Sequence, residues 1–160
     1  VLIAAPHTSN WDLIHTVAAF REMNIPLKFT IKDDWMRGPL KWIIAPLGGI
    51  GIDRSPRQKG EERLSMVDAM ANLFLEHERL GLVITPEGTR SKATEIKSGF
   101  YHVAKKAKVP IVCGYIDYKK RLTGVGKVIY TDKSYEEVLE EITAFYAQFE
   151  GKFPDLNSFK

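Results

Sequence analysis

Short apolar, β-rich runs alternate along this chain with stretches of helical periodicity, and that alternation limits its fold more than any other feature. The runs fall at Leu2–Ala5, residues 28–31, 49–53 and 82–85, Ile111–Asp117, and residues 125–130. Runs this short, bounded by turn residues, read as buried strands. Between the third and fourth runs, Leu64, Val67, Met70, Ala71 and Phe74 recur at helical spacing. Phe100, Val103, Ala104 and Ala107 repeat the pattern, as do Val138, Ile142, Phe145, Tyr146 and Phe149. Strand–helix alternation predicts an α/β domain whose largely parallel or mixed sheet is flanked by helices. With 160 residues and no repeat, linker or low-complexity tract, the chain reads as a single domain over residues 1–160. That length supports a core without help from metal or disulfide. Ligands of such sheets collect at the carboxyl ends of the strands. His7, Arg54 and residues 87–90 each follow a candidate strand end.

Composition removes several function classes. A net charge of +3 gives no electrostatic case for a nucleic-acid partner. No run of eighteen apolar residues exists, so no membrane-spanning helix is expected within the chain. The sequence starts inside a strand-like run without methionine, which predicts that further residues precede Val1. Cys113 is the only cysteine and lies in an apolar stretch. It reads as a buried, inert thiol in a protein of a reducing compartment.

The first candidate chemistry is His7-Thr8-Ser9-Asn10-Trp11-Asp12, a strand-to-helix corner with a histidine and an aspartate five apart. Asp12, one turn into the helix, can fix one ring nitrogen of His7 and leave the other as a base. An ordinary pKa of ~6.5 suits histidine to that work. Asp12 can equally be a first-turn carboxylate favoured by the helix dipole, with Ser9 or Asn10 as N-cap. Both readings can hold together. His15 adds a third nitrogen or oxygen ligand, but no familiar zinc spacing is present, and no metal is expected.

The second is Gly48-Gly49-Ile50-Gly51-Ile52-Asp53-Arg54. A dinucleotide loop is excluded, because the third glycine is absent and the glycines precede the strand. Arg54 remains as a solvated arginine or an anion ligand. The third is Pro86-Glu87-Gly88-Thr89-Arg90-Ser91, where Gly88 permits a tight turn and Arg90 adds a second planar guanidinium suited to phosphate. Glu87 fits a substrate hydroxyl or the bracing of an arginine better than it fits phosphate. Residues 35–44 interleave Trp35, Trp42, Ile43 and Ile44 with Arg37 and Lys41. Such a segment is either partly core or an interfacial element.

In order, these blocks resemble the glycerolipid acyltransferase family typified by 1-acylglycerol-3-phosphate acyltransferase, the PlsC-like group. His7 and Asp12 match its histidine, four residues, aspartate block. Residues 49–54 match its glycine-rich strand ending in arginine. Residues 85–91 match Phe-Pro-Glu-Gly-Thr-Arg-Ser with Thr85 in place of the aromatic. Residues 109–114 match Val-Pro-Ile-Val-Pro-Val with Cys113 in place of the second proline. Lys97 and Gly99 fall where the family has a lysine and a glycine, whereas Trp11 and Gly51 depart from it. The resemblance covers the chain from residue 1 to about residue 116.

It implies a glycerol-3-phosphate acyltransferase-like fold and acyl transfer from acyl-CoA or acyl-carrier protein to a lysophospholipid hydroxyl. The acceptor implied is 1-acylglycerol-3-phosphate, and no cofactor beyond the thioester co-substrate is needed. His7 is then the base and Asp12 its support. Arg54 and Arg90 hold the acceptor phosphate, with Glu87, Gly88 and Thr89 lining the substrate and loop N–H groups serving the oxyanion. No Gly-x-Ser-x-Gly elbow is present, so no acyl-enzyme is expected. The location implied is cytoplasmic, in peripheral contact with the inner face of the membrane. A thioesterase using water in place of the alcohol is the competing enzyme, and a lipid- or anion-binding module is the competing non-enzyme.

Overall fold

A computed structural model describes residues 2–52 and 65–160. The strands are β1 (Leu2–Ala5), β2 (Leu27–Lys32), β3 (Gly49–Ile52), β4 (Gly81–Ile84), β5 (Ile111–Asp117) and β6 (Leu122–Ile129). The α-helices are α1 (Trp11–Glu22), the single turn α2 (Lys41–Ile44), α3 (Met66–Glu76), α4 (Gly99–Ala107) and α5 (Tyr135–Tyr146). All six strands form one sheet in the order β3-β2-β4-β1-β5-β6. Every pairing from β3 across to β5 is parallel, and β6 closes the edge antiparallel to β5. The expected α/β domain, largely parallel with a mixed edge, is the one observed.

Both faces of the sheet are covered, which is why its central strands read as unbroken apolar runs and do not alternate with polar residues. Successive residues of β4 and β5 point to opposite sides. Leu82, Ile111 and Cys113 join the larger core with α3, α4 and α5. Val83 and Val112 belong to a smaller core with Phe20 of α1 and Phe29 of β2. Burying one such aliphatic side chain contributes ~1.5–3 kcal/mol relative to leaving it exposed. The helices start where the sequence supplies a cap. Ser65 accepts from the Asp68 N–H ahead of α3, and Ser134 with Glu137 makes a reciprocal capping box ahead of α5.

This topology places the site. β1 lies between β4 and β5 and feeds α1 toward β2, whereas β4 feeds α4 toward β5 on the other face. Connections that leave adjacent strand ends toward opposite faces open a crevice at those carboxyl ends.

The bounds of β2 and β4 move by a residue from the expected runs, and two further points differ. β6 begins at Leu122 instead of residue 125, because the β5–β6 connection is a tight turn. Asp117 Oδ1 accepts from the Lys120 N–H at 3.0 Å and Arg121 takes a φ of 54°, so pairing resumes at once. Residues 35–44 are mostly exposed: Trp42 is 81% exposed, and Trp35, Leu40 and Ile43 are exposed too. Ile44 alone of this segment packs against the smaller core. The turn at Asp33–Met36 closes over Gly51, where an added Cβ would meet Asp33 Oδ1 at 2.7 Å. A side chain at Gly51 would displace that turn. Cys113 is buried, and burial pushes its thiol up to about 12, which suits the inert role expected of it. Among the described residues, no helix is long and apolar enough to cross a membrane.

Candidate active site

After β1 the chain passes through Pro6 to His7 and reverses into α1, so the first turn of the helix comes back against the histidine. Asp12 Oδ2 lies 3.1 Å from His7 Nδ1. The same oxygen accepts the backbone N–H groups of Thr8 and Ser9, each at 2.8 Å. Oδ1 accepts the hydroxyl of Tyr118 at 2.7 Å. Asp12 is only 4% exposed, and burial pushes its carboxyl up. Hydrogen bonds from His7, Tyr118, Ser9 and Thr8 outweigh that and hold it below the usual carboxylate range. The carboxylate therefore stays ionised at neutral pH and can only accept, so Nδ1 of a neutral His7 must carry the proton. The lone pair is left on Nε2, the arrangement a general base requires. The dipole reading of Asp12 also holds, because Asn10 occupies the N-cap position without a side-chain bond to the helix N–H groups and Asp12 sits in the first turn.

The loop after β4 supports this corner. Glu87 Oε1 accepts the backbone N–H of His7 at 2.8 Å. Glu87 is 2% exposed, so the expectation that it reads a substrate hydroxyl or braces an arginine is corrected: it sits beneath the histidine. Burial pushes its carboxyl above the usual range, and the bond from His7 offsets this only in part. Its Oε2 has no hydrogen-bond partner among the described residues, a cost that a proton on the carboxyl would relieve.

Gly88 takes a φ of +64°, and an added Cβ would lie 2.8 Å from Lys97 Nζ. The backbone conformation favours glycine, whereas the end of the lysine could move aside. The Gly88 N–H donates to Thr85 O at 3.1 Å, so it is spent on the turn and is not the oxyanion donor expected of it. Thr89 and Arg90 are exposed at the rim. Thr89 Oγ1 accepts the Ser91 N–H at 3.2 Å, and Arg90 donates through Nη1 to Asn10 Oδ1, tying the third block to the first. Arg54 lies outside the described residues.

His15 faces Tyr118 edge-on at 5.7 Å, and both oxygens of Asp12 are occupied by donors. Among the described residues, no group of three metal-ligating side chains is gathered.

Sequence reasoning missed Tyr118 and the C-terminal segment. Phe153 donates its N–H to Thr8 Oγ1 at 3.3 Å, and Gly151 lies so close to Thr8 that a Cβ would meet its Cγ2 at 2.8 Å. Lys152 Nζ sits 5.3 Å from the centre of the Trp11 ring. Tyr118 follows β5 by one residue, so the strand-end rule, had it been applied to β5, would have found it.

A histidine held by a buried carboxylate at the strand ends of a largely parallel α/β sheet can serve as a base toward a hydroxyl or water. The family model described as Acyltransferase matches residues 1–117, and the chain belongs to that family. It is similar to the 1-acyl-sn-glycerol-3-phosphate acyltransferase of Saccharomyces cerevisiae, with 35% identity over 78 residues. That stretch is 46% of this chain and 24% of the yeast protein, so the chain spans about a quarter of that relative. No solved structure matches.

Proposed function

We propose that the protein transfers a fatty acyl group from acyl-CoA or acyl-carrier protein to the hydroxyl of a lysophospholipid, with 1-acylglycerol-3-phosphate as acceptor. The observation that carries this reading is the bond between His7 Nδ1 and a buried, ionised Asp12, which leaves Nε2 as a base. Nε2 takes the acceptor hydroxyl's proton as that oxygen bonds to the thioester carbonyl carbon. The carbon–sulfur bond then breaks, and the thiolate leaves with the proton from the imidazolium. The products are an ester and a free thiol. Asp12 stabilises the imidazolium formed midway, and Glu87 holds the His7 backbone in place. Arg54 and Arg90 hold the acceptor phosphate, and the Thr89 N–H is the loop's remaining candidate for the oxyanion.

Incubating the protein with acyl-CoA and lysophosphatidate, and following free thiol and phosphatidate together, tests the reading. Equal amounts of both are expected. Thiol without phosphatidate would make it a thioesterase, and neither product would leave a binding module.

Peripheral membrane contact belongs to the same reading. Trp35, Leu40, Trp42 and Ile43 are exposed beside Lys41, while Arg37 is engaged with Asp33 at 2.8 Å. Exposed tryptophans and aliphatics seat in the headgroup region, and nearby cations add an attraction that salt screens. The protein is expected to co-sediment weakly with anionic vesicles at low salt and to be released at high salt. Failure to co-sediment at either salt concentration would count against it.

A further inference from the structure

Tyr118 belongs to none of the four sequence blocks and lies one residue beyond the family match. Its hydroxyl nevertheless reaches Asp12 from a position 106 residues away along the chain. Among the described residues it is the one donor to Oδ1, whereas Oδ2 takes His7, Thr8 and Ser9. A carboxylate held at one oxygen still has a broad, soft torsion about its last bond. A donor on the other oxygen removes that freedom.

Tyr118 is itself placed from three sides. β5 delivers it, its backbone N–H donates to Glu150 O at 2.9 Å, and its ring stands edge-on to His15. Burial, with the bond to Asp12, pushes its phenol far above the ordinary value, so it remains a donor at any pH at which the protein is assayed.

We propose that Tyr118 is a positioning residue for acyl transfer: by holding Asp12 Oδ1 it turns Oδ2 to His7 Nδ1. This rests on the reading of His7 as the base. The charge of Asp12 is shared among its donors, so removing one concentrates it on those that remain. His7 without Tyr118 is therefore less well aimed but more easily protonated. Other ionisable groups around the corner are Glu87 under the His7 backbone, His15 on α1, Arg90 at Asn10 and Lys152 over Trp11. Tyr118→Phe leaves all of them in place.

The test compares wild type, Tyr118→Phe, Asp12→Asn and the double variant, using kcat and the NMR titration of the His7 ring. Tyr118→Phe is expected to lower kcat roughly tenfold, the lower end of what a hydrogen bond to a charged group is worth, with both KM values little changed. His7 should titrate at higher pH, carrying the acid limb of the kcat profile with it. In the Asp12→Asn background the same change should add little, because Tyr118 acts through that carboxylate. A fluorotyrosine at position 118, a stronger donor, should move the His7 titration the other way, and it serves if the phenylalanine variant does not fold. An unchanged kcat together with an unchanged His7 titration overturns the proposal. A fully additive loss in the double variant overturns it too. The NMR titration needs no substrate, so a wild type without transferase activity would defeat the proposed function and leave this test standing.

Discussion

His7→Ala is expected to abolish acyl transfer in a protein that stays folded. General-base catalysis is typically worth ~10²–10⁴-fold. The fold should survive, because the His7 side chain contributes one of four hydrogen bonds to Asp12. Its backbone bond to Glu87 does not depend on the ring. Asp12→Asn separates charge from shape. The amide oxygen can still face the N–H groups of Thr8 and Ser9, while the amide nitrogen turns to the Tyr118 oxygen. The corner then keeps its geometry and loses only the charge that stabilises the imidazolium, so kcat should fall steeply with little change in either KM. The measurement is thiol release under saturating substrates, beside a thermal melt of each variant. Near wild-type turnover in a well-folded His7→Ala protein would remove the mechanism.

The parts of this molecule that were legible in the sequence are those whose physics is local. β1 and β5 are read to the residue, because short apolar runs between turn signals have few other uses. The pairing of His7 with Asp12 was legible because one chain reversal and one helical turn bring them together. The partners that complete the site come from far along the chain. Glu87 sits 80 residues from His7, and its burial follows from strand order, which puts β4 beside β1. Nothing in a Pro-Glu-Gly tripeptide distinguishes a buried carboxylate from a rim one. Tyr118 sits at a strand end that the strand-end rule would have marked, but its partner Asp12, 106 residues away, carries no local sign in the sequence. Residues 35–44 stayed open between core and interface because their composition fits both, and the structure leaves Trp35, Leu40, Trp42 and Ile43 exposed.

The proposed acceptor is tested most sharply at the two arginines. Arg90 is exposed at the crevice, with one guanidinium nitrogen on Asn10, and Arg54 follows β3 by two residues in sequence. Strand order puts β2 between β3 and β4, so the two arginines do not follow neighbouring strands. At ~4.8 Å between strands, β3 stands roughly 10 Å from β4 and 14 Å from β1. On the proposed reading each arginine binds its own oxygens of the phosphate, so neither stands in for the other. Removing either should therefore raise the KM for lysophosphatidate and leave that for the thioester nearly unchanged. Charge-assisted hydrogen bonds are worth roughly 1.5–3 kcal/mol, so the expected loss in kcat/KM is about ten- to a hundredfold for each. Lysine should rescue only in part, because it keeps the charge and loses the bidentate fork. Monoacylglycerol, which lacks the phosphate, should react poorly with the wild type and be almost indifferent to both substitutions. The deciding quantity is the ratio of lysophosphatidate to monoacylglycerol activity in wild type, Arg54→Ala and Arg90→Ala. A ratio that is the same in all three means that neither arginine reads the acceptor phosphate. Structural pairing with Glu87 is no refuge for Arg90, because that carboxylate is buried beneath His7. The guanidinium groups would then belong to the phosphates of the thioester donor, and the donor KM is where their loss would appear.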